Sequence, residues 1–270
     1  MSVPIANAPP FDVHCAWFLD IDGTLLDIAA MPAAVHPAPA DWRTVTALYA
    51  ATGGALALIS GRSLEGIDRM FAPLKLPAAG QHGIERRDTR GRVLRHPFPE
   101  DALRRAAAFV RAFAARHEGL VFEDKGASIA LHYRLAAQLA GAAHSAVKRA
   151  ALELGKGVEV QSGKMVAELK PSGRDKGIAI EEFMHEAPFK GRVPVFLGDD
   201  LTDELGFKVV NRMGGHSVKI GEGPSAARWR LQDAAAVRRW LSEGLQRLPE
   251  SAKGGRTSTL RNPASAAKGP

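Results

Sequence analysis

The sequence predicts an α/β protein: a doubly wound parallel sheet of Rossmann-like layout into which an α+β layer is inserted. Three observations carry this expectation. Short apolar runs, CAWFLD (15–20), ALALIS (55–60) and VPVFLGDD (193–200), alternate with helical stretches, the pattern of strands buried on both faces. Each run ends in acids or a serine, and ligands gather at the carboxyl ends of such strands. The stretch from about 90 to 170 has a different rhythm of helix, two strands, helix, two strands, which suits an antiparallel sheet with helices packed on it.

Taken in order, residues 1–14 hold Pro4, Pro9 and Pro10 and are expected to be flexible. The run 15–20 is the first core strand. Asp41 can cap a helix whose apolar positions Val45, Leu48 and Tyr49 share one face, with Gly53 and Gly54 to end it. The strand 55–60 follows, then Gly61 and a helix from about Ser63. Residues 15–89 thus form the first part of the core. The insertion, 90–170, opens with an Ala- and Arg-rich helix over 101–117. Next come VFEDK and SIALHYR as strands, with Ile129, Leu131 and Tyr133 on one face, then a helix over 135–154. VEVQSGKMVAELK reads as a hairpin turning at Ser162 and Gly163. The core resumes over 171–248, with a helix opened by Lys176, the strand 193–200, and a further helix for which Thr202 offers the N-cap. Residues 249–270 lack apolar periodicity, are rich in Gly, Pro, Ser and Ala, and read as a disordered basic tail.

Composition narrows the function classes. With 270 residues, 46% of them hydrophobic and 24% charged, the chain is an ordinary globular protein and neither fibrous nor wholly disordered. No run nears the roughly 18 apolar residues of a membrane span, and no apolar leader opens the chain. A cytoplasmic protein with no membrane partner is expected. The single cysteine, Cys15, can make neither an internal disulfide nor a multi-cysteine metal site. The net charge of +7 hints at an anionic partner, but four basic residues against one acid lie in the tail, so no nucleic-acid partner is expected.

Chemistry is concentrated at the strand ends. Asp20-Ile21-Asp22-Gly23-Thr24 sends two carboxylates off the tip of a buried strand, and paired acids there need a cation or a proton to compensate them. Carboxylates and nearby carbonyls form an all-oxygen site suited to Mg²⁺. Loop acids that merely cap the next segment are the simpler reading of one such pair. Gly198-Asp199-Asp200-Leu201-Thr202-Asp203-Glu204 repeats the arrangement at a second strand end, and two such clusters on one sheet exceed what capping requires. Ser60 adds a hydroxyl at a third strand end, and Lys176 can bring a positive charge to the same region.

In order and spacing these motifs resemble the haloacid dehalogenase-like (HAD) phosphatases. Closer wording is similar to the trehalose-6-phosphate phosphatases: Gly80-Gln81-His82-Gly83, Glu123-Asp124-Lys125, His132-Tyr133-Arg134, and Glu168-Leu169-Lys170-Pro171-Ser172-Gly173 with Lys176-Gly177. The resemblance spans about 17–248. It implies a HAD-like core with the inserted layer as a cap, and hydrolysis of trehalose 6-phosphate through an aspartyl-phosphate. Asp20 is then the nucleophile and Asp22 the general acid and base, with Thr24 positioning it. Ser60 and Lys176 hold the phosphoryl oxygens. Mg²⁺ is held by Asp20, the carbonyl of Asp22, and Asp199, with Asp200 and Asp203 in support. Glu123, Lys125 and Glu168 read glucose hydroxyls, with Lys170, Arg134 and His82 as further candidates. The partner expected is a phosphorylated disaccharide. Rival readings are a capped phosphatase for another sugar phosphate, a receiver-like module, which Asp22 and the insertion speak against, and a catalytically weak sugar-phosphate sensor.

Overall fold

The structure is a computed structural model, and residues 8–29, 35–98 and 100–249 are described. Two sheets organise it. The larger has eight strands: β1 (Ala16–Leu19), β2 (Leu56–Ile59), β3 (Ala78–Gly80), β4 (Glu85–Arg87), β5 (Val93–Arg95), β10 (Pro194–Gly198), β11 (His216–Ile220) and β12 (Trp229–Leu231). Their spatial order is β12-β11-β10-β1-β2-β3-β4-β5. The first six run parallel, and β4 and β5 close one edge antiparallel. The chain starts in the middle with β1, builds outward through β2 and β3, and later fills the other side from β10. The strand order therefore reverses between β1 and β10, the place where doubly wound sheets open a crevice.

Strand alternation divides the apolar side chains between two faces. Trp17 and Leu19 pack with Val45 and Leu48 of α1 (Pro39–Ala51), Ile67 of α2 (Leu64–Phe71) and Leu241 of α7 (Ala234–Gln246). Phe18 points the other way, with Ile180 and Phe183 of α5 (Lys176–Met184) and Phe207 of α6 (Glu204–Arg212). The all-apolar strand runs predicted this burial on both faces.

The smaller sheet is antiparallel, in the order β6-β7-β9-β8, from β6 (Val121–Asp124), β7 (Ile129–His132), β8 (Val158–Gly163) and β9 (Val166–Pro171). Two helices, α3 (Glu100–Ala114) and α4 (Ala140–Leu154), cover one face, and Leu103, Val110, Leu131, Val147 and Leu169 form a third apolar cluster there. The other face looks onto the carboxyl ends of the parallel strands.

Several expectations shift. The core sheet runs on to Arg95, so the insertion starts nearer 96 than 90; β5 is exposed along its length and gives no apolar signal. Asp41 is not the N-cap of α1: Pro39 opens that helix, and Asp41, two residues in, accepts the Ala38 N–H at 2.9 Å. Asp200, not Thr202, caps the 3-10 turn 201–203 that leads into α6. The cap hairpin turns at Lys164 and Met165, since Gly163 pairs with Val166. Of the segment expected to be flexible, residues 8–14 are held in place: Phe11 lies 5.2 Å from the Trp17 ring and 6.1 Å from the Trp240 ring. The tail from 250 onward lies outside the described residues.

Candidate active site

The candidate site forms where β1, β2 and β10 end side by side. Parallel register aligns Leu19 with Leu197 and with Leu58, which brings Asp20, Asp199 and Ser60 together one or two residues beyond. Helix α5 adds Lys176. Its N-cap is Asp175, whose carboxylate accepts the Ile178 N–H at 2.9 Å and fixes the turn from which Lys176 projects. Lys176 Nζ lies 3.0 Å from Asp20 Oδ1 and 2.7 Å from Asp203 Oδ1, with all three groups buried. Asp203 Oδ2 in turn accepts the Asp200 N–H at 2.9 Å. Two glycines make room for these carboxylates. A Cβ on Gly23, which has φ of +81°, would stand 2.2 Å from Asp199 Oδ2, and one on Gly198 would stand 2.3 Å from Asp203 Cγ.

Burial pushes the Asp20 carboxyl well above the usual range, a rise that Lys176 opposes and Asp203 reinforces. Burial pulls Lys176 down, but the Asp20 and Asp203 carboxylates outweigh it and hold the ammonium charged. Asp199 is pushed up to about 6, first by burial and then by Asp203. Oxygens of Asp20, Asp199 and Asp203 fall within 4.8 Å of one another. Three carboxylates outnumber the ammonium groups that reach them, Lys176 and Lys164, and offer oxygen donors alone, which fits a hard divalent cation such as Mg²⁺. Asp203 joins this group more closely than the expected supporting role implied. Asp200 lies beside it, with its carboxylate occupied by backbone N–H groups of Leu201 and, at 2.9 Å, Lys164.

Two further groups come in that sequence reasoning did not assign. Arg62 grips Asp22 with two hydrogen bonds of 2.6 Å, from Nε and Nη2. Its place two residues after Ser60 was the available signal. Lys164, at the tip of the cap hairpin, reaches Asp199 Oδ2 at 3.2 Å. Nothing in the sequence tells that a residue 35 positions before Asp199 returns to it. Thr24 is fully buried, and its hydroxyl has no hydrogen-bond partner among the described residues.

The cap sheet supplies the opposite wall. Its register pairs Glu123 with Ala130 and Ala130 with Glu168, so two acids face the cleft across one small side chain. Glu168 is buried, with Lys125 Nζ at 3.2 Å, His82 Nε2 at 3.1 Å and Ser128 Oγ at 2.8 Å. Burial would raise its carboxyl, but Lys125 and His82 hold it well below the carboxylate range. Burial lowers His82, against the opposing pull of the Glu168 carboxylate that its Nε2 faces. Glu123 pairs with His132 at 2.8 Å, and Arg134 donates to the carbonyls of Ala29 and Lys164. The cleft is lined by Asp20, Asp22, Ser60, Lys176, Asp199 and Asp200 from below and by His82, Glu123, Lys125, Arg134, Lys164 and Glu168 around and above. Lys170 is not part of this lining. Two residues beyond Glu168 on β9, its fully buried ammonium turns to Glu159 at 2.7 Å and to the carbonyl of Arg174 near the hinge.

Comparison with known proteins agrees with this geometry. The family profile for trehalose-phosphatase matches residues 18–235. The chain is 44% identical over 241 residues to the trehalose-6-phosphate phosphatase of Escherichia coli, covering 89% of this chain and 90% of that protein. It is also 44% identical over 206 residues to a probable trehalose-phosphate phosphatase of Sinorhizobium fredii, covering 76% and 77%. Among solved structures, a trehalose-6-phosphate phosphatase related protein superposes with a TM-score of 0.73 at 27% identity, over 85% of this chain and 96% of that one. The C-terminal domain of the C. albicans trehalose-6-phosphate phosphatase shares the fold, with a TM-score of 0.74 at 20% identity over 86% and 93%. The profile match spans most of the chain and the likeness holds in sequence and in shape, so the chain belongs to the trehalose-phosphatase family.

Proposed function

We propose that the protein hydrolyses trehalose 6-phosphate to trehalose and phosphate, a step of trehalose biosynthesis, through an aspartyl-phosphate on Asp20. The observation that carries this is the seat of Asp20: a buried carboxylate at the strand reversal, 3.0 Å from the Lys176 ammonium, beneath a cap that presents Glu123 and Glu168. Asp20 attacks the phosphorus, and the bond from phosphorus to the sugar oxygen breaks. Asp22 gives a proton to that leaving oxygen, then takes one from the water that cleaves the aspartyl-phosphate. Arg62 holds the ionised Asp22 carboxylate, the form that takes the proton from water, through its two-point grip. Ser60 and Lys176 bind the phosphoryl oxygens as charge redistributes over them. When bound by Asp20, Asp199 and the carbonyl of Asp22, with Asp203 behind them, Mg²⁺ supplies the positive charge that lets an anionic nucleophile approach an anionic phosphate.

The cap excludes water and reads the sugar. Glu168 and Glu123 accept hydrogen bonds from the disaccharide hydroxyls, while Lys125, Arg134 and His82 orient those acids or donate to sugar oxygens. Among the described residues, no helix is long and apolar enough to cross a membrane, in keeping with a freely diffusing sugar phosphate as substrate.

The test is phosphate release with Mg²⁺ from trehalose 6-phosphate beside sucrose 6-phosphate, glucose 6-phosphate and an aryl phosphate. A preference for trehalose 6-phosphate above about a hundredfold in kcat/KM is expected, the discrimination that hydroxyl reading by several buried groups provides. Equal turnover of all four sinks the substrate assignment. In the same assay Asp20→Asn abolishes turnover and leaves the thermal transition cooperative; residual activity near the native level removes Asp20 from its role.

A further inference from the structure

Behind Glu168, core and cap meet through two side chains that the reaction itself does not use. Gln81 follows β3 in the core and holds a φ of +47°, a left-handed backbone that a residue other than glycine adopts only when its surroundings require it. Its Nε2 donates to the buried Glu85 carboxylate, which fixes the amide orientation, because a carboxylate takes only donors. The amide oxygen therefore faces Ser128, a fully buried cap residue just before β7, whose Oγ is 2.9 Å away. The same Oγ lies 2.8 Å from Glu168 Oε1.

A serine hydroxyl has one proton, and both of these neighbours are acceptors. Glu168 is ionised, held so by Lys125 and His82. Only one of the two short contacts is thus a full hydrogen bond at a time, and the acceptor left unserved is buried, which is unfavourable. Which of them is served depends on the other donors that Glu168 has. We infer that Ser128 and Gln81 form a sugar-responsive latch between cap and core. With no sugar present the Ser128 hydroxyl donates to the Glu168 carboxylate. When a sugar hydroxyl donates to Glu168, the serine rotor turns to the Gln81 oxygen and completes a hydrogen bond across the two layers. Sugar binding at Glu168 is thereby converted into tighter closure of the cap on the core. Ser128 and Gln81 are positioning residues, since neither touches the phosphate or the reacting atoms, and the inference rests on the reading of Glu168 as a sugar acceptor.

The test is steady-state hydrolysis of trehalose 6-phosphate and of an aryl phosphate, with Mg²⁺, by the native enzyme, Ser128→Ala, Gln81→Asn and the double variant. Asparagine withdraws the amide oxygen from Ser128 while tolerating the left-handed backbone, so Gln81→Asn decides the matter even if Ser128→Ala folds poorly. For trehalose 6-phosphate each single variant raises KM about fivefold, the worth of one neutral hydrogen bond, with kcat within about twofold. The double variant is no worse, because both changes break the same bond. Turnover of the aryl phosphate stays within about twofold throughout, since it brings no hydroxyl to Glu168. Equal losses on both substrates, additive losses, or a loss with Ser128→Ala alone overturn the latch. If the native enzyme prefers trehalose 6-phosphate and both variants match it, the latch falls while the function stands. If the native enzyme shows no such preference, the reading of Glu168 falls and the latch with it.

Discussion

The Asp199 carboxylate links the acid cluster to pH. In the unfolded chain its ordinary value is 3.8, and in the folded protein burial and Asp203 push it up to about 6. Between those values the folded state holds a proton that the unfolded chain has released. The contribution of Asp199 to stability is therefore fully present below the lower value and is lost as pH rises through the upper one. A divalent cation bound in place of that proton restores it. Adding Mg²⁺ should thus raise the melting temperature more at about pH 7.5 than at about pH 5, an effect that Asp199→Asn removes. Equal shifts at both pH values would show that the cation bypasses Asp199. The acids at strand ends were legible in the sequence because their chemistry is local: a buried apolar run followed at once by carboxylates. Arg62 and Lys164 were not, because their part depends on partners 40 and 35 residues distant. Lys170 misled for the opposite reason. It shares its strand and its wording with Glu168, but β9 has by then reached the hinge, and Lys170 serves Glu159 and Arg174.

Among the elements, α5 shows how a cap residue acts on chemistry. Asp175 closes the first turn of this helix and so fixes the backbone that carries Lys176. Asp233 does the same for α7, accepting the Ala236 N–H at 2.7 Å, far from the acid cluster in the chain. Asp175→Ala and Asp233→Ala should each cost about 1 kcal/mol in denaturant melts. Only the first should lower kcat, and on every substrate alike; an unchanged kcat would mean that the buried acids place Lys176 without help from the helix. The strands buried on both faces, β1, β2 and β10, were legible because an unbroken apolar run between polar turns has few other readings. The edge strand β5 was not, since Val93 and Leu94 stay exposed at 47% and 51% and carry no alternation. The hairpin turn was misplaced by two residues because Ser162 and Gly163 look like a turn, whereas Met165 takes the positive φ of +64°. Register with β7 decided there, by bringing Glu168 opposite Ala130.

For the whole molecule, the amino-terminal segment belongs to the folded body. Phe11 sits between Trp17 on β1 and Trp240 on α7, and Gly244 leaves it space, since a Cβ there would come within 2.3 Å of the ring. Phe11→Ala should cost about 2–3 kcal/mol while leaving kcat unchanged. An unaltered denaturation midpoint would detach the segment from the fold. Composition had suggested the reverse, because prolines near a chain start read as loose chain and a lone phenylalanine among them gives no period to follow. The three apolar clusters share no residue, two of them flanking the parallel sheet and the third lying within the cap. The chain enters the cap once, after β5, and leaves it once, between β9 and α5. Packing within the cap can therefore change by substitution without disturbing the two clusters that hold the parallel sheet, so the two layers are free to drift at different rates although one gene encodes both.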